Sequence, residues 1–232
     1  MLKSTSLGTV LIIAVTLAAP HAACAQTNQS SAHHGFSEVE HWAKVFESPQ
    51  RDRWQKPEEV VRELDLKEGQ TVVDIGAGTG YFTRRLAAAV GPTGRAIGLD
   101  VEPAMVAYMR KDAAKLELGS YQARVVKPDD PGLAPDSVDM IFLCDAYHHL
   151  TDRPEYFSRL IPALKPGGRI VIIDFEQRPM PVGPPPAHKV SLTKVRGEMR
   201  HAGYKMTRSY GFLPYQYFVE FEPRASSRRS GD

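Results

Sequence analysis

The sequence is sparing in the features that define several protein classes. It has two cysteines, Cys24 and Cys144, in 232 residues, too few for a disulfide framework and with no zinc-type spacing around either. Charge of one sign is not in excess: 29 lysines and arginines stand against 27 acids, a net +2. That balance argues against a dedicated nucleic-acid binder, whose footprint is a clear basic surplus. The apolar run Val10-Leu11-Ile12-Ile13-Ala14-Val15 is too short for stable membrane insertion as a span. There is no internal repeat. No Gly-Lys-Ser/Thr follows the glycines at 76–80, so a phosphate-binding P-loop is excluded. What is present is ordinary globular composition, 42% hydrophobic and 24% charged, at a length that suits one well-buried domain plus a tail.

The first residues differ from the rest. Lys3 supplies a positive start, the apolar run follows, and Ala23-Cys24-Ala25 offers a small-x-small site before Gln26. This is the layout of a secretory signal peptide over 1–25, with cleavage after Ala25 and a periplasmic or secreted product. Two alternatives stand beside it. One is a lipid anchor through Cys24, although His21 occupies the place of a bulky aliphatic residue. The other is a cytoplasmic protein with a mis-assigned start, although the next methionine is Met105.

Residues 26–56 form a tail and an arm. Gln26 to Gly35 is polar and reads as disordered, and His33-His34 is a pair without further metal ligands. Phe36 to Phe46 carries apolar residues at helical spacing. Residues 47–57 mix charge, Trp54 and proline and read as a loop, with Trp54 either anchoring the arm on the core or closing a lid over a pocket. Pro57 suits the first turn of a helix through Leu64.

The centre of the chain is Thr71-Val72-Val73-Asp74-Ile75-Gly76-Ala77-Gly78-Thr79-Gly80-Tyr81-Phe82. A β-branched strand runs into a glycine turn, and a helix opens at Tyr81. Glycines allow tight turning and close approach of a ligand, and a helix start offers unpaired N–H groups. A dinucleotide fingerprint would place its third glycine one residue later, where Tyr81 stands. Asp74, at the strand end, would repel a pyrophosphate but accept bonds from an ammonium group.

Strands and helices then alternate. Arg95–Asp100 is a second strand, followed by a helix from Ala104 to about Leu116. Tyr121–Val126 is a third strand and Ser137–Asp145 a fourth. A helix spans Arg153–Leu164, a turn Leu164–Arg169, and a fifth strand Ile170–Phe175. Five alternations imply a parallel sheet with helices on both faces and a ligand outside the carboxyl ends of the strands. Asp100 lies at the offset from the glycines at which an acid meets ribose hydroxyls; it also suits a helix cap. A proline-rich segment over 178–186, a helix near Leu192–Ala202 and strands over Tyr204–Tyr210 and Tyr215–Phe221 close the domain, and 223–232 is a basic, mobile tail.

Asp74-x-Gly76-x-Gly78-x-Gly80, Asp100, the Asp139 strand and Leu164-Lys165-Pro166-Gly167-Gly168 stand in an order that resembles the class I S-adenosylmethionine-dependent methyltransferases, over about Lys56 to Phe221. The resemblance implies a Rossmann-like, seven-stranded, mostly parallel sheet over 57–222 whose last strand is antiparallel. It implies S-adenosyl-L-methionine as cofactor, held by Asp74, Gly76, Ala77, Gly78, Gly80, Asp100 and Val101, with Asp129 ahead of Asp130 as the acid near adenine, unless both are turn residues, and Asp145 as a pocket wall by the methionine moiety. It also implies a small-molecule methyl acceptor and leaves the oligomeric state open. Acceptor-side chemistry is expected just after the fourth strand, where Tyr147, His148 and His149 form a candidate acid/base group. No Asn/Asp-Pro-Pro-Tyr/Phe segment stands there, which points away from a base-amine acceptor. The other readings are a non-catalytic binder of the same cofactor, and a dinucleotide enzyme disfavoured by the glycine spacing. A metal held by Asp145, His148 and His149 lacks a completing ligand.

Overall fold

The computed structural model describes residues 39–224. The signal-like segment 1–25, the polar stretch to Gly35 with His33-His34, Phe36 and most of the tail lie outside the described residues. Strands β1 (Thr71–Ile75), β2 (Arg95–Asp100), β3 (Tyr121–Val125), β4 (Val138–Cys144), β5 (Leu164–Phe175), β6 (Tyr204–Tyr210) and β7 (Gln216–Pro223) form one seven-stranded sheet in the order β3-β2-β1-β4-β5-β7-β6. Neighbours among β1–β5 pair parallel. β7 is antiparallel to both β5 and β6, so it alone reverses direction, as the resemblance implied.

Why these strands pair on both faces is visible in their side chains. Along β4, Ile141 and Leu143 enter one core with Ile170 and Ile172, while Met140 and Phe142 enter the other with Val171 and Ile173. Successive side chains of a strand point to opposite faces, so a continuous apolar run serves two layers at once. Helices α6 (Arg153–Leu160) and α7 (Leu192–His201) cover the first face through Phe157, Val195 and Met199. Helices α3 (Pro57–Glu63), α4 (Thr83–Val90) and α5 (Pro103–Lys115) cover the second through Val60, Leu86 and Met109.

Three local readings need correction. Residues 47–57 are not a loop: Pro49–Gln55 is helix α2, directly after α1 (Val39–Phe46). Ser48 caps α2 by accepting the Gln50 N–H at 3.2 Å, and Pro49 occupies its first turn, both standard helix starts. The helix after the glycine turn opens at Thr83, not Tyr81. The Lys165-Pro166-Gly167-Gly168 segment belongs to β5 rather than to a separate turn, with a register irregularity between the Val138 and Met140 pairings.

Strand order reverses between β1 and β4, since β2 and β3 lie on one side and β5 on the other. Connections leaving the two strands therefore diverge and open a crevice at their carboxyl ends. The glycine turn follows β1 and residues 145–150 follow β4, so topology sets both at that crevice.

Candidate active site

The first half of the site is the glycine turn with two acids. Gly76, Gly78 and Gly80 all have positive φ, of 72°, 56° and 81°. At Gly76 a Cβ would lie 2.6 Å from Ala146 Cβ, so only glycine lets the β1 turn pass the chain leaving β4. Within the turn itself the first N–H groups are taken. Gly76 and Ala77 donate to Leu99 O at 2.9 and 3.1 Å, and Gly78 donates to Asp100 Oδ2 at 2.8 Å. With its donors spent on the end of β2, the turn is poorly suited to a pyrophosphate.

Asp74 is buried, and its Oδ2 accepts from Thr83 Oγ1 at 2.6 Å. Burial, the largest influence, pushes its pKa up to about 7; the Thr83 bond and Arg51 oppose the rise, and Asp100 adds to it. Asp100 also has a raised pKa, from burial against the opposing Glu102 and Gly78 N–H bonds. It is not the cap of α5, a place held by Glu102, although its Oδ1 does accept the Glu102 N–H at 3.0 Å. A carboxylate has about four acceptor positions, so Asp100 keeps free positions after accepting backbone N–H groups from Gly78, Val101 and Glu102. If those receive ribose hydroxyls, Asp100→Ala is expected to weaken S-adenosylhomocysteine binding by about 1.5–3 kcal/mol, as charged hydrogen bonds contribute. Calorimetry on the folded variant checks this, and an unchanged affinity would remove Asp100 from the ligand contacts.

Ala77 is half-buried on the turn and Val101 is exposed beside Asp100. Asp129 is exposed in the loop after β3, where its backbone carbonyl accepts from Arg159 of α6 at 3.0 Å. Its neighbour Asp130 makes a turn bond instead, accepting the Gly132 N–H at 2.8 Å. The structure thus ties Asp129 to α6 and not to the glycine turn.

The N-terminal arm lies over this half. A Cβ on Gly78 would sit 3.6 Å from the Phe46 ring at the end of α1. Glu47 pairs with Arg84 at 2.7 Å and receives Tyr108 Oη at 3.3 Å. From α2, Arg51 stacks its guanidinium 4.1 Å from the centre of the Tyr81 ring and pairs with Asp145 at 3.3 Å. Gln55, fully buried, donates to Gln216 at 2.7 Å, Gln216 donates to Asp145 Oδ1 at 2.6 Å, and Arg51 donates to Gln55 Oε1 at 3.2 Å. A closed ring of four side chains therefore fastens the arm to the ends of β4 and β7. Sequence reasoning missed Arg51, Gln55 and Gln216. Only the helix signal at Ser48-Pro49 hinted that this segment was ordered.

Asp145 itself has φ 57°, a left-handed conformation that aspartate adopts more readily than most residues. Burial raises its pKa to about 6, Arg51 opposes, and Asp174 adds to the rise. Trp54, half-buried on α2, packs its ring 5.7 Å from that of Phe175 and 6.1 Å from that of Tyr215. These contacts anchor the arm on the end of β5.

The acceptor-side trio separates. Tyr147 is fully buried; it donates to Glu198 Oε2 at 2.6 Å and stacks on Phe157. It points into the core, bound to α7, and is not placed to touch an acceptor. His149 is exposed, its ring 4.1 Å from that of His148. His148 is held by Asp174, at the end of β5: Nδ1 lies 2.9 and 3.0 Å from the two carboxylate oxygens, and the His148 N–H donates to Oδ2 at 3.1 Å. Burial would lower the His148 pKa, but the Asp174 bond and charge, with help from Asp145, more than offset it and raise the value above that of an ordinary histidine. Asp174 was read in the sequence only as part of a strand. Among the described residues no group of three His, Cys, Asp or Glu is arranged to hold a metal ion.

Comparison with known proteins agrees with this geometry. A family model described as a methyltransferase domain matches residues 66–206. The chain is 26% identical over 161 residues to a demethylmenaquinone methyltransferase of Halalkalibacterium halodurans, covering 68% of this chain and 65% of that protein. It is 31% identical over 112 residues to an arsenite methyltransferase of Halobacterium salinarum, covering 48% of this chain and 29% of that protein. These alignments span less than two thirds of the curated relatives' own length. The crystal structure of a SAM-dependent methyltransferase from Aquifex aeolicus is similar with a TM-score of 0.74 and 29% identity, over 80% of this chain and 96% of that one. The chain belongs to the methyltransferase-domain family, whose fold here indicates S-adenosylmethionine as the cofactor.

Proposed function

We propose that the protein transfers the methyl group of S-adenosylmethionine to a small-molecule acceptor held between the carboxyl ends of β4 and β5 and the N-terminal arm. One observation carries this reading: a buried acid, Asp74, stands just before a positive-φ glycine turn whose Gly76, Ala77 and Gly78 N–H groups are already paired. Such a site repels phosphate and accepts a cationic amino-acid end. Thr79 Oγ1, buried and without a hydrogen-bond partner among the described residues, offers a further polar contact to an adenosyl ligand. When bound, S-adenosylmethionine supplies an electrophilic methyl carbon on a sulfonium, so the chain's task is mainly orientation. Asp74 and Asp145 face the positive end with carboxylates, and Asp100 receives ribose hydroxyls. Trp54 and the Arg51 ring exclude water from above. His148 takes a proton from the acceptor.

A small acceptor is favoured by relatives whose names refer to arsenite, demethylmenaquinone and phosphoethanolamine. Calorimetric titration with S-adenosylmethionine and S-adenosylhomocysteine, followed by release of S-adenosylhomocysteine over a panel of phenols, thiols, amines and arsenite, tests it. Micromolar binding with turnover on one class is expected. Tight binding with no turnover on any class would favour a non-catalytic binder. Export through the segment 1–25 belongs to the same proposal, and fractionation of the producing cell with detection of a chain starting at Gln26 checks it. Among the described residues no helix is long and apolar enough to cross a membrane.

A further inference from the structure

Asp174 is a carboxylate with no solvent exposure, yet no lysine or arginine pairs with it among the described residues. Its oxygens are instead taken by His148 Nδ1 at 2.9 and 3.0 Å, by the His148 N–H at 3.1 Å and by the Phe175 N–H at 2.7 Å. A buried carboxylate is costly unless its hydrogen bonds are complete. Here they are completed by the Phe175 N–H and by one histidine, gripped through both backbone and ring. An ionised carboxylate only accepts, so the imidazole nitrogen facing it must carry a proton. The other ring nitrogen, Nε2, is then left with its lone pair.

We propose that Asp174 is a positioning residue that fixes His148 with its proton on Nδ1, so that Nε2 accepts the proton of the methyl acceptor's nucleophilic hydroxyl. This rests on the methyl-transfer reading above. In the step, a lone pair of the acceptor oxygen forms the new bond to the methyl carbon. The carbon–sulfur bond breaks with its pair left on sulfur, and the hydroxyl proton passes to Nε2. The imidazolium, stabilised by Asp174, later returns that proton to water. A hydroxyl acceptor calls for such a base, because its own pKa lies well above neutrality.

Charged and titratable groups surround the pair on every side. Asp145 after β4 favours the protonated imidazole and Arg153 at the start of α6 disfavours it. His149 packs on the ring, while Lys189 and Tyr217 lie near Asp174. The Asp174 contact is the only one of these that distinguishes the two ring nitrogens.

The test is heteronuclear NMR of the histidine rings in the full chain, with His148 assigned from the signal lost in His148→Gln. The expected wild-type result is a neutral form protonated on Nδ1 and a titration midpoint above that of an ordinary histidine. Asp174→Asn is expected to lower the midpoint by a pH unit or more. A wild-type neutral ring protonated on Nε2 would overturn the proposal without recourse to any variant, as would an unchanged midpoint in a folded Asp174→Asn protein. Calorimetry with S-adenosylhomocysteine on the same samples separates the two readings: lost cofactor binding would defeat methyl transfer, whereas an altered tautomer with intact binding would defeat only the dyad.

Discussion

Gly80→Ala is expected to lower the stability of the fold by about 2–5 kcal/mol, combining the cost of a left-handed non-glycine residue with that of overpacking. The residue has φ 81°, and a Cβ there would lie 1.8 Å from Tyr121 Oη and 3.0 Å from Met109 Cγ. Tyr121 is buried at the start of β3, wedged among α4, α5 and β2, so its phenol has nowhere to retreat. Urea unfolding followed by tryptophan fluorescence measures the loss. Gly132→Ala is the control, since it shares a positive φ of 60° but has open space at the Cβ position. It is expected to lose only the backbone share, about 1–2 kcal/mol. Equal midpoints for the two variants would show that the clash is relieved and that Gly80 is needed for its backbone alone.

Binding of S-adenosylhomocysteine is expected to tighten with rising pH and to level off above about pH 7. In the free protein Asp74 titrates near 7 because burial outweighs the Thr83 bond. An α-ammonium group beside it favours the carboxylate, so the bound-state pKa is lower and binding releases a proton. Below pH 7 each unit then costs up to a factor of ten in affinity, roughly 20–30-fold between pH 7.5 and 5.5. Asp145, raised to about 6, steepens the slope only toward the lower end of that window. Asp74→Asn is expected to be flat between pH 6 and 8. Methylthioadenosine, which lacks the amino-acid end, is expected to bind the wild type without this slope. A flat wild-type profile, or a slope retained by the Asn variant, would take Asp74 out of the ammonium site. The sign for folding is the reverse: the raised value favours the fold fully below the ordinary carboxyl value of 3.8, and that contribution is lost as pH rises through about 7,.

What could be decided from sequence was local. The β-branched run ending in Asp74, the glycines that alone tolerate positive φ, and the alternation of strands with amphipathic helices are set by neighbours a few residues apart. Strands β1, β2 and β6 accordingly fall where the residues placed them, and the sheet has the expected class. The buried acids Asp74 and Asp100 were legible for the same reason, as ends of strands beside a glycine turn.

Tertiary structure decided the rest, because the deciding contacts join residues far apart in the chain. Gln55 meets Gln216 across 161 positions, and Arg51 meets Asp145 across 94, so no local pattern marks the ring that fastens the arm. Tyr147 and His148 are adjacent in sequence, yet the first turns into the core toward Glu198 while the second is held by Asp174 at the crevice. Which neighbour turns inward depends on the direction in which the chain leaves β4. Asp174 was indistinguishable from any acid at a strand end until β5 was laid beside β4 and its carboxylate came to rest against the imidazole.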